Sequence, residues 1–528
     1  MRAPCEGAVL GSGGKAVSCG EKAKPWILAA TILGSSIAFI DSTVVNVALP
    51  AIQATFHATV VDVQWVVESY GLFLGALILV GGSLGDLFGR RTIFVAGVLI
   101  FAIASATCGF ASNIHQLIVA RSVQGVGAAL LVPGSLAIIS TAFDEKSRGQ
   151  AIGTWSGFTA ITTAVGPVLG GWLVQHASWR WAFFINPPIA ASVIVISLWQ
   201  IQESRRLTAA SIDWIGALLA ILGLGGLVYG LLESVNLGWT NRLVLGSLIL
   251  GFGGLITFVL VEARGASPMV PLTLFRSPTF SAANMLTLLL YAALGIFFFL
   301  FPLNLIQVQG YSPTAAGGAI LPLIMLMFLL SRWAGRLVDR YGARGPLIIG
   351  PLIAAAGFGL FALPSIGSNY WKAFFPALVI LGSGMTVTVA PLTTVVMNSV
   401  KEDRVGTASG INNAVARVAA VLAIAILGIV MVKAFSFHLN QSLARLSVPS
   451  YILQELRANE IRLAGLQVPT GLDLIANAAI KESVSEAFIY GFRIVMSICA
   501  SLSLASAAVA SLMIPQERDR HLPVDSSS

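Results

Sequence analysis

Long apolar runs separated by short polar turns repeat along nearly the whole chain. A helix needs about 20 apolar residues to cross a bilayer. Runs of that kind fall near 26–50, 65–85, 92–111, 116–139, 151–174, 182–201, 213–232, 242–261, 279–301, 316–334, 346–363, 372–396, 407–432 and 487–514. The pattern predicts about fourteen spanning helices, and an even number places both tails on one side. The fifth and sixth runs are separated only by His176-Ala177-Ser178-Trp179-Arg180. One connection is long, 433–486, and its centre from Tyr451 to Leu463 mixes apolar and charged residues as a short amphipathic helix does. A cap packed on the outer surface and a functional lid are the two readings of it.

Composition supports the same class. Of 528 residues 56% are hydrophobic and 10% charged, against about a quarter charged in a soluble domain. Too little charge is present to wet a soluble surface, so this is an integral membrane protein. The net charge of +8 does not point to nucleic acid, because the basic residues stand singly or in pairs between apolar runs. Their placement orients the chain instead. Lys15, Lys22, Lys24, Arg90, Arg91, Lys146, Arg148, Arg205, Arg206, Arg264, Arg276, Arg336, Arg340, Arg344, Lys401, Arg404, Arg518 and Arg520 share one side, whereas the short loops opposite hold only Arg180, Arg242 and Lys372. Positive charge collects on the cytoplasmic side, so both termini are expected there.

A ten-residue segment occurs twice. Gly82-x-Leu84-x-Asp86-x-x-Gly89-x-Arg91 matches Gly335-x-Leu337-x-Asp339-x-x-Gly342-x-Arg344 at one offset of 253, and Gly125-x-Gly127 is echoed by Gly382-x-Gly384. Parallel repeats of this sort mark the two halves of many transporters. The copies follow the second and tenth runs, eight spans apart where two plain six-helix halves would give six. The expected fold is therefore an all-α membrane protein of two six-helix bundles related by a pseudo-two-fold, with two further helices inserted. The division is a tail over 1–25, a bundle over 26–201, the inserted pair over 202–262, a bundle over 263–514 and a tail over 515–528.

Ionisable side chains inside a span are costly and mark function by default. The first half holds Asp41, Glu68 and Arg121; the second holds Arg332 and Arg417 toward span ends and Arg493 at the start of the last span. Asp41 serves proton or substrate work, or a structural hydrogen bond. Glu68 shares a stripe with Gly71, Gly75 and Gly82 near the outer end of its span, as a coupling or cation-binding group or as a partly wet rim residue. Arg121, with Gln124 and Gly125 on one face, stays charged in any site and needs a partner. Its counterpart in the second half is Leu378, so the first half is expected to carry the coupling. The fifth run carries Gly153-xxx-Gly157, Ala160-xxx-Ala164 and Gly166-Pro167-x-x-Gly170-Gly171, a smooth, bent helix suited to a hinge.

No phosphate-binding loop, metal-ligand spacing or cysteine pair stands out, and the first 24 residues lack the apolar core of a signal peptide. No enzyme activity, cofactor or metal is expected; a proton gradient is the expected energy source.

These motifs resemble the Major Facilitator Superfamily, and within it the fourteen-helix drug:proton antiporters. Gly82-xLxD-xxG-RR is similar to the family's loop signature after the second helix, Arg121-xx-Gln-Gly-x-Gly to its fourth-helix motif, and Gly166-Pro-xx-Gly-Gly to its antiporter motif. Ile40-Asp-Ser-Thr-Val-Val-Asn-Val-Ala-Leu-Pro50, Trp179-Arg-Trp-Ala-Phe-Phe-Ile-Asn-Pro and Gly310-Tyr-Ser-Pro add to the match, which runs from about 26 to 514. The resemblance implies the major facilitator fold in a bacterial cytoplasmic membrane. It implies that Asp86 and Arg90 latch the cytoplasmic ends of the halves in the outward-open state. Arg121 would assist proton movement, Asp41 would serve coupling or a cationic substrate, and Gly166 and Pro167 would sit at the interface. Glu68 stands where a neutral residue is expected, and Ala343 replaces a basic residue in the second latch. The function implied is proton-coupled export of amphipathic drugs. A dedicated exporter of one endogenous metabolite or siderophore is the alternative, and a transport-inactive sensor or scaffold a third. An outer-membrane partner is not identified by the sequence.

Overall fold

The computed structural model describes residues 23–204, 213–265, 268–401, 404–446, 449–466 and 474–515. Among them fourteen helices are long and apolar enough to cross a membrane. The first six are span 1 (Lys24–Phe56), span 2 (Val60–Phe88), span 3 (Arg90–Phe110), span 4 (Ile114–Ala142), span 5 (Gln150–His176) and span 6 (Trp181–Gln200). Span 7 (Trp214–Leu237) and span 8 (Arg242–Arg264) follow. Span 9 (Pro278–Val308), span 10 (Pro313–Ser331), span 11 (Arg344–Phe361), span 12 (Tyr370–Asn398), span 13 (Val405–Leu443) and span 14 (Ile475–Met513) complete the set. The start of span 1 and the end of span 14 define a terminal face, and the distal face lies opposite.

The repeat is visible in the backbone. Gly89 ends span 2, and Gly342 ends the helix Leu321–Tyr341 that continues span 10, at matching turns with φ of 112° and 69°, a region that favours glycine. Gly127 lies so close to span 3 that a Cβ there would come within 2.6 Å of the Phe101 nitrogen. Gly384 is equally close to span 11, where its Cβ would come within 2.7 Å of the Gly350 carbonyl. The same helix pair is thus locked by glycine in each half.

Spans 13 and 14 run further than their hydropathy indicates, which shortens the expected 433–486 loop. Phe435, Leu439 and Leu443 are buried at four-residue spacing, as are Ile480, Val484 and Phe488. That is a helical stripe, masked in the sequence by the polar residues around it. Between these helices, Ser450–Ala458 and the turn Glu460–Gly465 bury Ile452, Leu456 and Leu463, so the amphipathic segment forms a cap broken at Asn459. Gln53 of span 1 pins it, donating to the Arg462 carbonyl at 3.1 Å and accepting from Gln307 of span 9 at 2.8 Å. The short link between spans 5 and 6 is held by Arg180, which donates to the Gly109 and Ala111 carbonyls, both at 2.7 Å.

Two seams join the halves. On one, spans 5 and 10 touch backbone to backbone: a Cβ at Gly171 would strike the Pro313 carbonyl, and one at Gly317 the Pro167 carbonyl. On the other, span 13 rides over Gly71 and Gly75 of span 2, and Gln64 donates to the Ile424 carbonyl at 3.1 Å. Toward the terminal face the contacts thin. Leu79 still meets Gly410, but no described atom lies within 4 Å of a Cβ placed at Gly153, Gly157, Gly335 or Gly406. Among the described residues the bundles pack closely toward the distal face and touch little toward the terminal face. The Gly153-xxx-Gly157 stripe therefore packs against nothing among the described residues in this state; close approach begins at Gly166.

Spans 7 and 8 form a glycine-packed hairpin, with Gly226 of span 7 against Gly251 of span 8. Span 7 docks on both halves, where Ala220 and Leu224 cluster with Leu72 and Ala76 of span 2 and with Val418 of span 13. The inserted pair thereby covers the seam between spans 2 and 13.

Filling the space at Gly171 tests the distal closure. Overpacking costs about 1–3 kcal/mol, enough to displace a balanced two-state equilibrium. Gly171→Leu is expected to lengthen the distance between spin labels on His57 and Ile366, read by pulsed electron resonance. An unchanged distance distribution would show that this contact does not hold the face shut.

Candidate functional site

Helix 1 carries Asp41 halfway along its length, and helical periodicity turns it inward with Ile37, Val44 and Val45. Asp41 is wholly buried and Arg121 of span 4 is 1% exposed. Each would be untenable alone, since removing a single ion from water costs several kcal/mol. They meet at 2.5 Å between Nη1 and Oδ2. The other carboxylate oxygen accepts from Gln124 at 2.8 Å and Asn186 at 3.3 Å. Arg121 also donates to the Gln124 side-chain oxygen at 2.8 Å and, through Nε, to the Val66 carbonyl at 3.1 Å.

Its guanidinium lies 4.3 Å from the Tyr70 ring centroid and 5.8 Å from that of Phe183, an attraction of the cation–π kind. Asn186 is oriented in turn by Ser105, to which it donates at 2.9 Å, and Ser105 donates to the Phe183 carbonyl at 2.8 Å. The cluster draws on spans 1, 2, 3, 4 and 6, all in the first half. The sequence points to Asp41, Arg121 and Gln124. It gives no role to Tyr70, Ser105 or Asn186; Tyr70 and Ser105 show only as polar residues in apolar runs, while Asn186 lies in the Trp179 to Pro187 segment that adds to the family resemblance.

Glu68 departs from the expectation of a partly wet rim residue. It is 0% exposed and neither carboxylate oxygen has a hydrogen-bond partner. Its neighbours on span 2 meet two helices: Trp65 and Leu72 meet span 7, and Gln64 and Gly71 meet span 13. The docking of those helices leaves no mark in the sequence of span 2 itself.

The latch residues stay within one half in this state. Arg90 donates to Asp86 at 2.7 and 2.9 Å and to the Ala137 carbonyl at 3.2 Å. Arg91 donates to the Ile201 carbonyl at 3.2 Å, and its backbone N–H to Glu203 at 3.1 Å. Glu203, which sequence reasoning passed over, also leaves no room for a Cβ at Gly89. A Cβ at Gly82 would only touch Pro133, at 3.8 Å. In the second copy Arg344 donates to the Ser511 carbonyl at 2.5 Å, while the side chain of Asp339 lies outside the described residues. Of the antiporter motif, Gly166 and Gly170 accommodate Thr43 and Val44 of span 1, and Pro167 and Gly171 meet span 10.

Arg332 has no described side chain. Arg417 is not at a span end: span 13 starts twelve residues earlier at Val405, and Arg417 lies over Gly75 of span 2. Arg493 donates to the Leu363 and Pro364 carbonyls at 3.1 and 3.0 Å.

Comparison with known proteins agrees with this architecture. Residues 31–424 match the family model of the Major Facilitator Superfamily. The tetracenomycin C resistance and export protein of Streptomyces glaucescens is 33% identical, over 96% of this chain and 94% of its own. The multidrug resistance protein Stp of Mycobacterium tuberculosis is 36% identical, over 82% of this chain and 80% of its own. Among solved structures, a bacterial homologue of the human lysosomal transporter Spinster superposes with a TM-score of 0.63 at 18% identity, covering 93% of this chain and 98% of that one. The chain belongs to the Major Facilitator Superfamily, among its antibiotic-resistance and drug-export transporters, and is a transporter rather than an enzyme.

Proposed function

We propose that the protein is a proton-driven antiporter that exports amphipathic organic compounds across the cytoplasmic membrane, with both termini in the cytoplasm. The observation that carries this reading is the enclosed Asp41–Arg121 pair. Apolar residues would pack the same space at no electrostatic cost, so a charged pair there points to use of the charge. A proton on Asp41 removes one of the two charges. Arg121 then keeps the Val66 carbonyl, Gln124 and the Tyr70 face, and is released from its tightest constraint.

The bundles, packed closely toward the distal face and touching little toward the other among the described residues, fit one of the two states that alternating access requires. Each charge moved inward down the membrane potential supplies about 2.3 kcal/mol per 100 mV, which is the drive available for outward transport. The side with more Lys and Arg is the terminal one, which supports cytoplasmic termini.

The names of the relatives support two substrate ranges: one is a multidrug resistance protein, the other is named for a single compound. A panel of unrelated amphipathic compounds, added to proteoliposomes with a trapped pH dye under an imposed gradient, separates them. Responses to several compounds make the protein a multidrug exporter, and a response to one makes it dedicated.

In that assay Asp41→Asn is expected to insert normally and to lose substrate-triggered proton movement and gradient-driven export. Export as fast as in the native protein would remove Asp41 from the mechanism. Arg121→Lys keeps the charge but not the fork that reaches Val66, Asp41 and Gln124 together. Its export is expected to fall at least about tenfold, the loss of one or more charge-assisted hydrogen bonds. Native export by Arg121→Lys would show that a point charge suffices.

A further inference from the structure

The Asp41–Arg121 cluster leaves one intramembrane carboxyl of the first half unused. Glu68 is fully enclosed, and both of its oxygens lack a partner. Its surroundings are defined by its neighbours on span 2. Gln64, one turn toward the distal face, crosses the seam to the Ile424 carbonyl at 3.1 Å. Gly71, three residues further in, touches Val421 of the same helix. Leu72, one turn inward, packs with Leu224 of span 7. Trp65 ties span 2 to span 7 by donating to Glu233 at 3.0 Å. Glu68 therefore occupies a junction of three helices, two belonging to opposite halves and the third to the inserted pair.

The titratable and charged groups on the packed helices are Asp62, Tyr70 and Asp86 on span 2, Tyr229 and Glu233 on span 7, and Arg417, Lys433 and His438 on span 13; Asp62 is bonded to Thr59, Asp86 to Arg90, and His438 stacks on Tyr490. None bonds to Glu68. Tyr70 lies under Arg121, Tyr229 beside Trp65, Glu233 under the Trp65 indole, and Lys433 near Trp239. Arg417 lies at the level of Gly75, two turns inward from Glu68. A carboxylate in this pocket is shut off from solvent and has no hydrogen-bond partner among the described residues, and such a charge is expensive.

The seam is what separates Glu68 from the distal solvent. Opening of the distal face would part Gln64 from Ile424 and admit water to the next turn, and closure would remove it. From this placement we infer that Glu68 is a proton-binding site, distinct from the Asp41–Arg121 pair, whose occupancy licenses closure of the distal seam. The proton binds the closed state more tightly than the open one, so by linkage acid favours closure. The inserted pair has a function in this arrangement: span 7 supplies the wall that keeps lipid off the carboxyl, leaving the seam as its route to water. This deepens the proton-coupled reading and rests on it for the direction of transport, but not for the closure itself.

The test is conformational and uses neither substrate nor a gradient. The full chain in lipid nanodiscs carries spin labels on His57 and Ile366, and their distance is measured by pulsed electron resonance across a pH series. The native protein is expected to pass from a longer to a shorter distance as pH falls. Glu68→Gln and Glu68→Met, which cannot ionise, are expected to show the short distance throughout; either variant alone decides the point if the other fails to fold. Asp41→Asn is expected to keep the pH response. A native distance indifferent to pH, or the native response persisting in a Glu68 variant, would overturn the inference. Loss of the response in Asp41→Asn, with both Glu68 variants unaltered, would assign it to Asp41 and overturn it too. Failure of the antiport reading itself would appear elsewhere, as native export that needs no proton gradient.

Discussion

A carboxylate and a guanidinium cannot be left singly inside a membrane, and the first half of this protein is organised around that constraint. Asp41 and Arg121 neutralise each other, but two oxygens and a forked cation need more partners than one contact supplies. Gln124 bridges both members, Val66 offers a carbonyl, and Asn186 reaches in from span 6 while held by Ser105 of span 3. Five helices are thus fixed by one charge pair. The second half has Leu378, fully buried, at the position equivalent to Arg121. The repeat preserved the helix-packing glycines in both bundles and the charge in only one.

Between the bundles the physics differs. Lipid is as apolar as leucine, so helices in a membrane associate through close packing rather than through burial of apolar surface. Here the halves meet through Gly171 and Gly317 on one seam and Gly71 and Gly75 on the other. The polar bonds that cross among the described residues are single and neutral: Gln64 to the Ile424 carbonyl, Gln53 to the Arg462 carbonyl, Gln307 to Gln53, and the Thr314 N–H to Gln175. Each contributes about 0.5–1.5 kcal/mol net. Strong charge pairs lie inside a half and weak contacts between halves, so the bundles can part without exposing an ion. The Asp86–Arg90 pair follows the same rule in this state, bonding within its own bundle.

Much of this was legible in the sequence, because hydropathy length and the positive-inside bias are set residue by residue. The fourteen spans, the repeat at an offset of 253 and the inclusion of Asp41 and Arg121 all come from such local signals. What escaped depends on neighbours distant in the chain. Spans 13 and 14 run past their apolar cores because Leu439 and Val484 find cover in the folded protein. Glu68, three residues from Trp65, reads equally as a coupling group or a wet rim residue until the fold encloses it. Asn186 stands at a helix start, where asparagine is ordinary, and only the fold brings it to Asp41. Arg417 reads as an end-of-span cation because its helix begins and ends outside its most apolar stretch.

The inserted pair shows how a change of covering alters a site without altering its chemistry. Span 8 faces outward for most of its length, but span 7 touches both halves, and both contacts cannot persist unchanged when the halves rock. Its firmer tie is to the first half, through Trp65 to Glu233 at 3.0 Å and the Trp65–Tyr229 ring contact at 6.1 Å. Toward span 13 it offers an apolar surface at Val418. A helix bonded on one side and greasy on the other travels with the first and slides on the second. On the proposed reading span 7 would stay with span 2 as the seam opens, so the carboxyl would be screened from lipid in both states while its access to water changes. An exposed carboxyl on span 2 would gain lipid on one side and lose it again with each cycle, at a cost unrelated to protons. Fixing the lipid side lets the state of the seam alone govern the charge.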